Sequence, residues 1–193
     1  RLLFTITMCN DYLKQTTDER LNDRGVDDAL RANIQYYRSE TRFLRALMYY
    51  HAMDMFGNTP FITENDPIGT YLPPQRSRAE LYSFIESELL ELSDDPHMTE
   101  PRQNEYGRTD KAAVWMLLSR LYLNAEVYIQ TPKYDECMKY ARNVISAGYD
   151  LCPNYAELFM ADNGENTDAR KEMIFTINFD GRWTQSYATQ FLV

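Results

Sequence analysis

Apolar residues return every three or four positions over most of this chain, the spacing that gives a helix one dry face and one wet one. Leu2, Leu3, Ile6, Cys9, Tyr12 and Leu13 predict a first helix over Arg1 to Gln15, followed by a polar connector from Thr16 to Gly25. A long helix is expected from about Asp27 to Phe56, with Ile34, Tyr37, Leu44, Leu47 or Met48, and Met55 as its inner stripe. Arg38, Glu40, Arg42 and Arg45 are placed on its wetter flanks. Gly57 and Pro60 supply the stop: glycine takes the left-handed position after the last turn, and proline prevents resumption. Phe61 to Arg76, with Pro67, Gly69, Pro73 and Pro74, reads as an irregular loop.

Ser77 then opens a helix through a capping box with Glu80, and Leu81, Phe84, Ile85, Leu89 and Leu92 form its dry face. After a loop from Asp94 to Gly107, Thr109 or Asp110 caps a helix that is apolar nearly all round, from Ala112 to Leu123, the signature of a central, buried rod. A turn at Pro132 leads to a helix from Asp135 to Ala147 whose inward residues are expected to be Met138, Ala141, Val144 and Ile145. Asn154 to Met160 predicts a short helix, Ala161 to Lys171 an acidic loop, and Met173 to Phe179 alternates like a strand. The pair of helices from Thr109 to Ala147 has the proportions of a tetratricopeptide unit, whose period is about 34 residues. The fold class expected is therefore mainly all-α: tetratricopeptide-like helix pairs with long loops and a short C-terminal strand. Residues 1–193 read as one helical region, and the start in mid-pattern, with a strand lacking a partner, reads as part of a longer protein.

Composition narrows the chemistry. A net charge of −9 with no basic run argues against nucleic acid, whose phosphates demand clustered Lys and Arg. No stretch approaches the roughly 18 consecutive apolar residues of a membrane span. Fifteen tyrosines suit either helix seams, the plainer reading, or sugar stacking. Cys9, Cys137 and Cys152 form no metal-type spacing with His51 or His97; buried free thiols are preferred, with a Cys137–Cys152 bridge left open. Neither a metal nor another cofactor is implied, and Asp162, Glu165 and Asp168 lack the spacing of a calcium loop. Nucleophile elbows, phosphate loops and metalloprotease motifs do not occur, so an enzyme is not expected.

The order of segments resembles one family. Arg42-Phe43-Leu44-Arg45-Ala46-Leu47, Tyr49-Tyr50 and Phe56-Gly57-Asn58-Thr59-Pro60 are similar to the conserved first block of SusD/RagB-like proteins. Tyr106-Gly107-Arg108-Thr109-Asp110-Lys111-Ala112-Ala113 with Leu121-Tyr122-Leu123-Asn124-Ala125 resembles their second, and Tyr149 to Phe159 with Glu172-Met173-Ile174-Phe175 their third. Glu100-Pro101-Arg102-Gln103 and Phe159-Met160-Ala161-Asp162-Asn163 resemble the starch-binding members in particular. The resemblance implies a non-catalytic subunit that binds starch-like oligosaccharide or polysaccharide. It implies a lipid-anchored place on the bacterial outer-membrane surface, with a TonB-dependent transporter as partner in nutrient uptake. The alternative is a tetratricopeptide-type protein-interaction scaffold.

The family's aromatic glucan arc lies mainly outside this stretch, so no ligand residue is carried over from it. Among the residues themselves, Trp183 and Tyr187 offer flat faces beside the polar groups of Asp180, Arg182 and Gln185, the mixture a sugar site needs. Packing of Trp183 against other sequence is the preferred reading, and the pair stands as the candidate ligand-binding residues.

Overall fold

A computed structural model describes residues 1–67 and 71–179. In chain order the helices are α1 (Leu2–Gln15), α2 (Asp18–Asp23), α3 (Asp28–Phe56), α4 (Arg78–Asp94), α5 (Lys111–Leu123), α6 (Ala125–Ile129), α7 (Tyr134–Ser146) and α8 (Thr167–Glu172), with a 3-10 turn at Tyr155–Phe159. Two-residue strands β1 (Thr59–Pro60) and β2 (Gln75–Arg76) pair antiparallel, Thr59 opposite Arg76. The five long helices stack in sequence: α1 on α3, α3 on α4, α4 on α5 and α5 on α7. Successive rods thus bury one another's faces, as the mainly helical reading requires.

Three of the long helices, α3, α4 and α5, are opened by side-chain caps. Asp27 accepts a hydrogen bond from the Leu30 N–H at 2.8 Å, and Ser77 and Glu80 form the complete reciprocal box expected of them. The Asp110 carboxylate takes the backbone N–H groups of Ala112 and Ala113. Gly57 stands at φ 74°, its N–H returning to the Met53 carbonyl at 2.9 Å. Arg38 on α3 reaches across to the Leu13 carbonyl at 2.8 Å and so satisfies an orphan at the end of α1.

One continuous core runs through the stack. Ile6, Phe43, Tyr49, Met53, Leu81, Ile85, Leu89, Leu118 and Leu121 are buried in it. Tyrosine supplies much of the seam: Tyr122 on α5 and Tyr140 on α7 stack at 5.8 Å between ring centroids. Cys9 and Cys152 are buried, Cys137 is half-buried, and all three are free thiols.

Several sequence expectations are corrected. Met173–Phe179 pairs with no strand among the described residues, and the small sheet lies at 59–60 and 75–76 instead. The run is anchored by side chains: Phe175 meets the Phe43 ring edge-on at 5.5 Å, whereas Ile177 and Phe179 stay exposed. The connector after α1 contains α2, the segment before Pro132 contains α6, and the acidic loop contains α8. Helices of five or six residues are too short to display a period, and of these only α8 carries a side-chain cap, Asn166 accepting from the Asp168 and Ala169 N–H groups.

The phase of α7 also differs. Tyr140 and Val144 face inward, while Met138 and Ile145 are exposed. Ranking side chains by apolarity favoured Met and Ile, but a tyrosine pair fills the seam. On α3, Tyr37 and Met55 are exposed, and Arg45 is buried rather than on a wet flank.

Candidate functional site

The deepest polar construction lies where α1, α3 and α4 meet the loop that β1 and β2 close. Arg45 is its centre, with a side chain only 3% exposed. Its guanidinium donates to Glu88 on α4 at 2.9 Å, to Asn10 on α1 at 2.9 Å, and to Glu64 in the loop. Arg42, one turn earlier, grips Glu88 through two nitrogens at 2.9 and 3.2 Å and reaches Glu91 at 2.5 Å. These are charge-assisted bonds in a low-dielectric setting, and four chain segments converge on them.

Tyr49 fixes the same loop. Its hydroxyl donates to the Ile62 carbonyl at 2.7 Å and accepts from the Ile62 N–H at 2.9 Å. Burial pushes this hydroxyl up to about 12, so it keeps its proton and fills both roles. The Asn10 amide also donates to the Ile62 carbonyl, at 3.1 Å. Within the loop, Asp66 accepts from the Thr63 N–H and hydroxyl at 2.7 and 3.1 Å. Phe61 closes the base, its ring against Phe84 and Tyr49 at 4.8 and 5.1 Å.

Outside this anchored rim lies a cavity of about 500 Å³, lined on one side by Thr7, Met8, Asn10, Asp11 and Lys14 of α1, and on the other by Ile62, Thr63, Glu64, Asp66, Pro67, Tyr71 and Pro73. Thr7, Asp11 and Lys14 follow one another at helical spacing, so they share a face. The Tyr71 ring, 39% exposed, and Met8, Pro67 and Pro73 provide apolar surface. Much of the remaining hydrogen-bonding capacity points outward. Among the described residues the Asp11 carboxylate meets only Gln15, at 3.4 Å, and Lys14 spends one N–H on the Asp66 carbonyl at 3.3 Å. An aromatic and aliphatic floor with a few polar groups suits a sugar ring, whose C–H face stacks while its hydroxyls bond. The carboxylates nearest the rim are already acceptors: Glu64 to Arg45, and Asp66 to Thr63.

This cavity was missed in the sequence, although the spacing of Thr7, Asp11 and Lys14 was there to be found. What it did not reveal is that the proline-rich loop folds back over that face. The expected ligand residues Trp183 and Tyr187, with Asp180, Arg182 and Gln185, lie outside the described residues. Asp162 and Glu165 sit in the turn before α8, and Asp168 pairs with Lys171 at 2.7 Å. Among the described residues, no three His, Cys, Asp or Glu side chains are grouped to hold a metal ion. His51 packs edge-on to Tyr50 at 5.5 Å, and burial with the Arg120 charge pushes its pKa down.

No family model matches the chain. It is 44% identical over 187 residues to the starch-binding protein SusD of Bacteroides thetaiotaomicron, a match that takes in 97% of this chain and 31% of that protein. A SusD-like protein of Bacteroides ovatus is 24% identical over 85% of this chain and 30% of its own length. The chain thus spans about a third of the curated relatives it matches. Among solved structures, surface glycan-binding protein A from Bacteroides uniformis superposes with a TM-score of 0.69 at 27% identity, over 90% of this chain and 36% of that one. The resemblance read from the ordered blocks thus holds in sequence and in fold.

Proposed function

We propose that this stretch is the helical scaffold of a larger, non-catalytic glycan-binding subunit whose ligand is a starch-like oligosaccharide. The observation that carries the reading is the 44% identity, sustained along nearly the whole chain, to a protein named for starch binding. The chemistry of the cavity between α1 and the loop supports it. A glucan ring laid on Tyr71 would present hydroxyls to Asp11, Lys14 and Thr7, groups that bind neutral polar ligands without net charge. Hydrolysis would require a proton-donating acid facing a second carboxylate. Glu64 and Asp66, the carboxylates nearest the rim, are held by Arg45 and Thr63 instead.

By family resemblance, the whole protein would work at the bacterial outer-membrane surface, lipid-anchored, passing glycan to a TonB-dependent transporter. Trp183 and Tyr187 are proposed as a second stacking pair. A protein-interaction scaffold of tetratricopeptide type is the weaker reading, since the exposed tyrosine and acid of this cavity suit sugar better than an extended peptide.

Isothermal titration with malto-oligosaccharides tests the proposal. Tyr71→Ala is expected to weaken binding about tenfold, the value of one lost stacking contact, and Asp11→Ala to weaken it less. Unchanged affinity in both would remove the cavity from the reading, and unchanged affinity in a Trp183→Ala/Tyr187→Ala double variant would remove that pair. Absence of binding to any neutral glycan, or release of shorter sugars from starch, would overturn the function itself.

A further inference from the structure

A second cavity, of about 390 Å³, lies between the segment from Arg102 to Asp110, Tyr149, α8 and the residues that follow α8. Its lining is unlike the rest of the molecule. The chain carries a net charge of −9, yet four cations, Arg102, Arg108, Arg170 and Lys171, line this hollow against two acids, Glu105 and Asp110.

Asp110 and three of the cations have assigned work, while the Glu105 carboxylate makes no ion pair or hydrogen bond among the described residues. The Asp110 carboxylate accepts from the N–H groups of Ala112, Ala113 and Arg102 and from the Tyr149 hydroxyl at 3.3 Å. Arg108 is held bidentately by Glu40 at 2.5 and 3.2 Å. Lys171 pairs with Asp168, and Arg102 donates to the Gly148 carbonyl.

Arg170 is different. Its guanidinium lies over the Tyr106 ring at 4.6 Å, and among the described residues it makes no ion pair and no hydrogen bond. A stacked guanidinium is held by its face, which leaves its edge of N–H donors open. Tyr106 is itself positioned, its hydroxyl 3.6 Å from the Met173 sulfur. The result is a pre-oriented planar fork in a cationic hollow of the volume that takes one or two sugar rings. Planar forks match oxyanions in which two oxygens lie side by side.

We propose that this cavity binds an oxyanion-substituted saccharide, a uronate carboxylate or a sulfate ester, through the edge of Arg170, with Lys171 and Arg102 supplying further positive field. The site is separate from the neutral-sugar cavity beside α1 and does not depend on it.

The test is calorimetric titration of the chain with oligogalacturonate in one arm, a sulfated disaccharide in the other, and malto-oligosaccharide as neutral control. At least one charged arm is expected to bind, with Arg170→Ala weakening it about tenfold or more, the effect of a lost charged hydrogen bond. Arg170→Lys, which keeps the charge and loses the fork, should weaken the carboxylate arm while leaving the melting temperature unchanged. Arg142→Ala, which removes an exposed cation on α7, should leave both arms unaffected, and neutral binding should not respond to Arg170→Ala. Failure of both charged arms to bind overturns the proposal, as does equal weakening by Arg142→Ala or indifference to Arg170→Ala.

Discussion

Arg45 shows how one residue can organise several segments. A buried charge is costly unless it is well paired, and here α1, the loop and α4 each give an acceptor to its terminal nitrogens, while Nε is buried without a partner among the described residues. Arg45→Met should therefore lower unfolding stability by roughly 3–5 kcal/mol, because Glu64 loses its counter-charge and Glu88 is left with Arg42 alone. Urea titration measures this, and a loss below about 1 kcal/mol would mean the network is wetter than its burial suggests.

The same cluster sets an acid limit. Burial pushes the Glu88 carboxyl up, but the hydrogen bond from Arg42 and the charges of Arg45 and Arg42 outweigh it, leaving the group below its ordinary value of 4.5. A carboxyl lowered on folding stabilises the fold above its unfolded pKa, and that stability is lost as pH falls through the folded value. Melting temperature should hold down to about pH 5 and then drop in acid, and Glu88→Gln should flatten that drop. An equally steep decline in the variant would place the acid sensitivity elsewhere.

At the scale of elements, stop signals were more legible than faces. The capping box of Ser77 and Glu80, the Asp110 cap and the Gly57 stop all stand where the residues put them, since each depends on chemistry within four positions. Gly57 carries a sharp expectation. At φ 74° an added Cβ is strained and meets Arg78 Nη2 at 3.3 Å, so Gly57→Ala should cost about 1–2 kcal/mol in chemical denaturation. A neutral result would mean that the α3 terminus can turn another way.

Faces were read less well because amphipathic residues decide them. Tyr140 displaced Met138 and Ile145 from the seam of α7, and Arg45 lies inside although charge placed it outside. Both outcomes depend on partners distant in sequence, Tyr122 and Glu88, which no local window contains. The run from Met173 to Phe179 has strand alternation without a strand, because alternation records what two faces meet and not whether a ladder is present. The cavity beside α1 was hidden for a related reason: half of it belongs to a loop more than fifty residues away.

For the molecule as a whole, the consecutive stack predicts a gradient of protection. α5 packs between α4 and α7, and Ala112, Val114, Leu118 and Leu121 are fully buried. Its amides should exchange only through global opening, while those of α8 and the 3-10 turn at Tyr155–Phe159, where Ala169 alone is buried, should exchange orders of magnitude faster. Hydrogen-exchange mass spectrometry would show this, and similar rates in α5 and α8 would contradict the stacked arrangement.

The pair of hydrogen bonds between the Tyr49 hydroxyl and the Ile62 backbone has an engineering consequence. The entrance of the loop is held by a rod in addition to the turn that Asp66 makes with Thr63, and two ladder residues pin its exit. Foreign segments grafted between Glu64 and Gln75 should therefore inherit a ready-made mouth, and a library varied only there could be screened for new sugar preferences without redesigning the helices beneath.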